Sequence, residues 1–269
     1  MTQEEKPEGR LEDKALEMLG EGSLEEKALE MIEEKKVPLY SLLFEPESLK
    51  EDGRPFIYEN EKFVEIIRKI QKGGIPIDLE KLASLKALLE FYDDVLFRGM
   101  PDPDSVYFKA YHYKSTQENL EKFVELIEKY QKEDNFCLTG AFLAGLINQL
   151  PGNITLDLRN INEELHFIGS ELDNKILTVL GNGGVFLGTA MYSGRIIVKG
   201  DVGLGAGQGM KGGDIFIEEN AGSSIGMNMT GGRIFILGEY ADEWKPDELK
   251  FMGATGGEIY HKGKKIFPK

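Results

Sequence analysis

The sequence predicts a multi-domain α+β chain, with a helical N-terminal part followed by a C-terminal parallel β-helix of about five 19-residue coils. Three observations carry this. Of 32 glycines, 23 lie beyond residue 150, so two kinds of structure share the chain. The strands Ile196-Ile197-Val198, Ile215-Phe216-Ile217 and Ile234-Phe235-Ile236 start 19 residues apart. Apolar residues before residue 135 instead recur at helical spacing.

The domain organisation expected is an acidic helical arm over 1–36, a mainly helical domain over 37–150 that caps the solenoid, and the β-helix over 151–269. In the arm, Lys14-Ala15-Leu16-Glu17-Met18-Leu19 recurs as Lys27-Ala28-Leu29-Glu30-Met31-Ile32, on a helix opening after Ser23 with Glu26 closing a capping box. So thin an apolar stripe cannot form a core, and the stretch reads either as a mobile acidic arm or as a helix pair that docks on a partner.

Within 37–135, Phe63, Ile66, Ile67 and Ile70 mark a helix stopped by Gly73-Gly74. Leu82, Leu85, Leu88, Leu89 and Tyr92 mark a second, ending near Arg98-Gly99. Leu120, Phe123, Val124, Ile127 and Tyr130 mark a third, with Ser115 as its N-cap. Between these two, Val106–Tyr113 alternates aromatic residues and reads as a strand, preceded by a turn at Met100–Asp104. Phe142–Leu150 leads into the solenoid as its N-terminal cap.

The repeat keeps one register through its linking segments. Gly184, Gly203 and Gly222 share a phase, as do Gly188, Gly207 and Gly226, and Gly194, Gly213 and Gly232. These nine are the expected structural corners, where a positive φ or a close backbone approach excludes a side chain. Met191, Met210 and Met229 also share a phase and are expected inside, as gap-fillers. After Gly238 an insertion over 241–249 lengthens one step to 25 residues, and the phase resumes at Gly256-Gly257-Glu258-Ile259. Stacking such coils at about 4.8 Å makes a wedge on the order of 25 Å tall.

Chemistry-bearing motifs are sparse. Gly203–Gly209 imitates a nucleotide-binding loop, but that fingerprint needs a helix to follow, and here another strand does. His112, His166 and His261 form no metal-spaced pair and are expected to be structural. Cys137, the single cysteine, sits among apolar neighbours as an inert thiol. Glu163-Glu164 and Asp242-Glu243 read as solvated faces. Trp244, within the insertion, either folds back on the coil or anchors a partner subunit, and is the candidate partner contact. No catalytic, cofactor-binding or metal residue is therefore assigned.

The formal charge of −15 resides mainly in the first 150 residues, because the remainder holds 12 basic against 15 acidic side chains. That balance repels phosphate backbones and anionic surfaces, so neither nucleic acid nor membrane is the expected partner. The acidic N-terminus is unlike a signal peptide, and one thiol fits a reducing compartment, so a cytoplasmic location is expected.

The phrase Gly-x-x-x-Gly-x-x-Met-x-Gly-Gly-x-Ile-x-Ile, at Gly203–Ile217 and again at Gly222–Ile236, resembles the GXGXG β-helix family. That domain forms the C-terminal part of the glutamate synthase large subunit, and a non-catalytic component of formylmethanofuran dehydrogenase. The resemblance covers about residues 152–269 and implies a right-handed coil. It also implies a non-catalytic scaffold role in a multi-subunit oxidoreductase, whose other subunits hold the flavin, Fe–S or molybdopterin/tungstopterin groups while this chain holds none. The chain lacks a barrel-length α/β region and a cysteine cluster, so it is not a whole glutamate synthase. Two rivals stand beside this expectation. One is a stand-alone enzyme with a cofactor between the helical domain and the first coils, using Tyr107, Tyr111, His112 and Tyr113. The other is a self-assembling structural protein, with a homo-oligomer as its simplest form.

Overall fold

The computed structural model describes residues 44–49, 55–57, 79–97, 102–130, 136–241 and 253–268. The acidic arm, the Phe63–Ile70 helix and the insertion with Trp244 lie outside them. By its internal contacts the chain divides into Met1–Leu82 and Ala83–Lys269. The first unit shows an antiparallel pair, β1 (Phe44–Leu49) with β2 (Pro55–Ile57), in a stretch expected to be helical.

Among the described residues, four helices precede the solenoid: α1 (Leu79–Phe97), α2 (Pro103–His112), α3 (Gln117–Tyr130) and α4 (Phe136–Gln149). Their core is an aromatic cluster, with the Tyr92 ring 4.8 Å from Phe123 and 5.0 Å from Phe142. Buried polar pairs fix the helices laterally. Tyr92 and Thr139 share a hydroxyl hydrogen bond of 2.7 Å, and Asn119 Nδ2 donates to Ser84 Oγ at 2.6 Å.

Two local expectations are corrected. Val106–Tyr113 is not a strand but most of α2. Asp102 caps it by accepting from the Ser105 N–H at 2.9 Å, and Pro103 occupies the first turn, where its missing N–H costs nothing. Val106 and Ala110, four apart, turn inward, whereas Phe108 and Tyr111, from the aromatic alternation that imitated a strand, are exposed. The N-cap of α3 is Thr116, whose Oγ1 accepts from Asn119 N–H at 3.1 Å, and not Ser115.

Seven strands follow in one sheet: β3 (Ile154–Asp157), β4 (Ile176–Leu180), β5 (Arg195–Val198), β6 (Asp214–Ile217), β7 (Thr230–Ile236), β8 (Gly256–His261) and β9 (Lys264–Phe267). All neighbours from β3 to β8 pair in parallel. Leu177, Ile196, Ile215, Ile234 and Ile259 stand in one column and are almost wholly buried. The chain is thus a parallel β-solenoid of about four turns over residues 154–236, fewer than the five expected. The 25-residue step does return to register at β8, but there the chain doubles back as the antiparallel β9 instead of completing a coil.

The corners explain the glycine phrase. In each coil three alternate residues have positive φ: Phe167, Gly169 and Glu171; Phe186, Gly188 and Ala190; Gly205, Gly207 and Gly209; Ser224, Gly226 and Asn228. The middle position is glycine every time. A Cβ there would lie 2.8 Å from Ile196 Cδ1 at Gly169, and 2.8, 2.5 and 2.9 Å from Ile215, Ile234 and Ile259 at Gly188, Gly207 and Gly226. Each coil's isoleucine therefore occupies the space that the preceding coil's glycine leaves open. Of the other corners, Gly184, Gly194, Gly213 and Gly232 also have positive φ. Gly203 and Gly222 do not; close approach excludes a side chain there, with Val185 Cγ2 and the Gly203 carbonyl carbon 2.8 and 2.7 Å from a Cβ.

At Ala190, φ is +55°, a region that costs an L-residue roughly 1–2 kcal/mol. Ala190→Gly is expected to raise stability by about 0.5–1 kcal/mol, net of the extra entropy glycine loses on folding. A urea midpoint that fell instead would overturn this account of the corner.

A ladder of side chains reinforces one turn of the coil. Asn182 Oδ1 accepts from the Asp201 N–H, Asp201 Oδ1 from Asn220, and Asn220 Oδ1 from Glu239, at 3.0, 2.8 and 3.0 Å, each one 19-residue coil apart. The interior is apolar, with Met191, Met210 and Met229 fully buried beside the isoleucine column. Among the described residues, no helix is long and apolar enough to cross a membrane.

Candidate functional site

α4 is apolar nearly all round and buried along most of its length, between the other helices and the first coil. Two glycines permit this. A Cβ on Gly140 would fall 1.6 Å from His166 O, and one on Gly145 would fall 2.5 Å from Tyr107 O. The C-terminal end of α4 is held by Lys175, which enters β4. Its Nζ donates to the carbonyls of Ile147, Asn148 and Leu150 at 2.8, 2.9 and 2.7 Å. A cation there satisfies carbonyls that the helix cannot and complements its dipole. Burial pushes the ammonium pKa down, and the Asp173 charge opposes that shift.

At this end α2, α4 and the first coils enclose a cleft of about 480 Å³, within the usual range for small-molecule sites. α2 supplies Tyr107, Phe108, Tyr111 and His112, α4 supplies Asn148, and the coils supply Glu171, Asp173 and Tyr192. The four α2 residues share a face because positions four apart stand one turn above each other. The Tyr107 and Tyr111 rings lie nearly parallel, 6.1 Å apart, and Phe108 and His112 lie 4.3 Å apart. Much of this aromatic surface is open: Phe108 is 63% exposed, Tyr111 45% and Tyr192 45%.

Polar contacts orient the walls. Asn148 Nδ2 donates to Tyr107 Oη at 3.0 Å and to Ser170 O at 2.8 Å. Asn148 Oδ1 is buried with no hydrogen-bond partner among the described residues. Burial, then the Glu171 charge, push the Tyr107 pKa far above the usual phenol value, so the ring stays neutral. His112 Nδ1 donates to Phe108 O at 2.8 Å, which leaves Nε2 free of that bond. Asp173 Oδ1 accepts from Ser193 Oγ at 2.6 Å.

Of the four residues that the sequence placed at such a junction, Tyr107, Tyr111 and His112 line the cleft. Tyr113 does not line it; its ring stacks on Phe91 at 4.3 Å. Sequence reasoning missed Phe108, Asn148, Glu171, Asp173 and Tyr192. The repeat phase held a clue to one of them. Glu171 is the first-coil counterpart of Ala190, Gly209 and Asn228, and an acidic residue departs from that small or carboxamide set.

At the other end of α4 the structure joins two residues read as unrelated. Cys137 Sγ lies 2.9 Å from His166 Nδ1, and burial pushes the thiol pKa up. His261 Nε2 donates to Gly238 O at 3.0 Å. Among the described residues, no three His, Cys, Asp or Glu side chains converge as a metal site would require.

The sheet also presents an outward face. Thr178, Ile197, Phe216, Phe235 and Tyr260 form an in-register column, with Phe216 and Phe235 stacked at 4.6 Å and Phe235 and Tyr260 at 5.0 Å. Beside it, Arg233 Nε and Nη2 grip Asp214 at 2.8 and 2.9 Å, and Lys199 pairs with Glu218. Comparison of the whole chain with family models, with curated proteins and with solved structures finds no match.

Proposed function

We propose that this protein is a non-catalytic scaffold subunit of a multi-subunit oxidoreductase, with its solenoid of the right-handed GXGXG kind. The observation that carries the reading is the pair of columns on the sheet. The inner one is filled by aliphatic side chains and leaves no room for a ligand, while the outer one offers aliphatic and aromatic surface between charged ladders. Aromatic residues flanked by polar groups are the composition of protein interfaces. The partner proteins carry whatever flavin, Fe–S or molybdopterin/tungstopterin the complex uses, and Trp244 is a further contact for them. A component similar to the GXGXG polypeptide of formylmethanofuran dehydrogenase is one form of the same proposal, and a cytoplasmic complex is its setting.

Purification of the tagged chain from its native host tests this. Stoichiometric co-elution of oxidoreductase subunits is the expected result. A protein that runs alone at its monomer mass of 30.2 kDa removes the scaffold reading. End-to-end self-assembly is less well supported, since β9 closes the far end of the sheet in antiparallel sense with Lys264 and Lys265 upon it, and charged edge strands oppose pairing.

The cleft favours a second reading, in which a small molecule seats between α2, α4 and the first coils. It is supported by a cavity of suitable size where a packed junction would have served for capping alone.

A further inference from the structure

We propose that the cleft is a binding site for an organic ammonium ion, a compact primary amine with an apolar body. This rests on the second reading above, that the cleft holds a small molecule, and names the chemistry of what it holds.

The walls decide the sign of the charge. Rings of Tyr107, Phe108, Tyr111 and Tyr192 present π surface, whose negative face attracts a cation and repels an anion. Among the described residues, Glu171 and Asp173 are the only acidic side chains lining the cleft, and neither Lys nor Arg lines it. An anionic ligand would meet two carboxylates with no Lys or Arg lining the cleft to oppose them. A neutral aromatic ligand would draw water away from those carboxylates and return nothing to them. An ammonium ion satisfies both the rings and the carboxylates.

Two further features agree. Glu171 has φ +54°, where the equivalent positions of later coils carry Ala190, Gly209 and Asn228. Every coil has positive φ at this position, and the first coil alone places a carboxylate there. Finally, Lys211 Nζ lies 4.1 Å from the centre of the Tyr192 ring, so this ring of the wall already engages an ammonium of the chain, although Lys211 itself does not line the cleft. Lys175, by contrast, is committed to the three α4 carbonyls.

Three probes with one ring and different heads separate the possibilities: 2-phenylethylamine, 2-phenylethanol and phenylacetate. Calorimetric titration of each into the full chain is expected to show saturable binding of the amine, affinity for the alcohol lower by about tenfold or more, and less still for phenylacetate. Glu171→Gln is expected to cut amine affinity about tenfold and leave the alcohol unchanged, whereas Tyr111→Leu weakens both. Lys211→Met, which removes a positive charge beside the Tyr192 ring, is expected to tighten the amine severalfold. Tyr111 and Lys211 are surface positions, and circular dichroism checks that each variant keeps its fold.

If the alcohol or phenylacetate binds as tightly as the amine, the cleft remains a ligand site but the ammonium assignment is overturned. If none of the three binds at millimolar concentration, the cleft reading itself falls. Amine binding that neither Glu171→Gln nor Tyr111→Leu alters lies elsewhere on the chain and overturns the proposal as well.

Discussion

Gly140→Ala is expected to destabilise the protein by about 3 kcal/mol or more, although the same change in an exposed helix interior would stabilise it by about 1 kcal/mol. The sign reverses because the added Cβ would sit 1.6 Å from the carbonyl oxygen of His166 and 2.7 Å from its carbonyl carbon. These are backbone atoms, so no rotamer change makes room, and α4 must lift off the first coil. Thr139 and Ala141–Ile147, now buried around the helix, would move with it. At this chain size about 3 kcal/mol corresponds to a melting-temperature fall of roughly 6–12 °C. A variant that melts at or above the parent temperature would show that α4 does not rest on His166.

Lys175→Met is the second large effect, with an expected loss of about 3–5 kcal/mol. Methionine keeps most of the apolar stem but leaves the carbonyls of Ile147, Asn148 and Leu150 without the donor that reaches them at 2.7–2.9 Å. Charge-assisted bonds of this kind contribute about 1.5–3 kcal/mol each, and the three are not additive because they share one ammonium. The loss should concentrate where α4 meets the coil. Amide exchange in the last turn of α4 is therefore expected to accelerate well before exchange in β5 or β6, whose pairing partners are coil neighbours on both sides. Uniform acceleration across the solenoid would contradict a local capping role for Lys175.

Both effects converge on one seam, and the cleft opens at the Lys175 end of it. Loosening α4 would also displace Asn148, which links Tyr107 to Ser170. The amine affinity of Lys175→Met is thus expected to fall together with its stability, while Ala190→Gly, one coil along at the equivalent corner, should leave that affinity unchanged.

The solenoid was legible because its rule is local and repeated. Ile196, Ile215 and Ile234 recur every 19 residues, and a chain that returns to one phase can satisfy all three only by stacking them. The same repetition made the glycine corners visible, though not their reason, since the interlock of Gly207 with Ile234 joins residues 27 apart. α2 is misread from sequence for the opposite cause. Its aromatic residues alternate along the chain, and the cap formed by Asp102 and Pro103 imitates a turn. Burial of Val106 and Ala110 by α4 settles the question in three dimensions.

By itself, then, the sequence determined the stacked coils, the inward isoleucines and methionines and the acidic character of the first half, because each follows from composition or period alone. Tertiary structure alone decided that α4 lies on the first coil, that Cys137 meets His166 and that Tyr107 and Glu171 line one cleft. Those contacts join residues 29 and 64 positions apart that share no period. No local preference encodes them, and they exist only once two differently patterned halves of the chain have packed together.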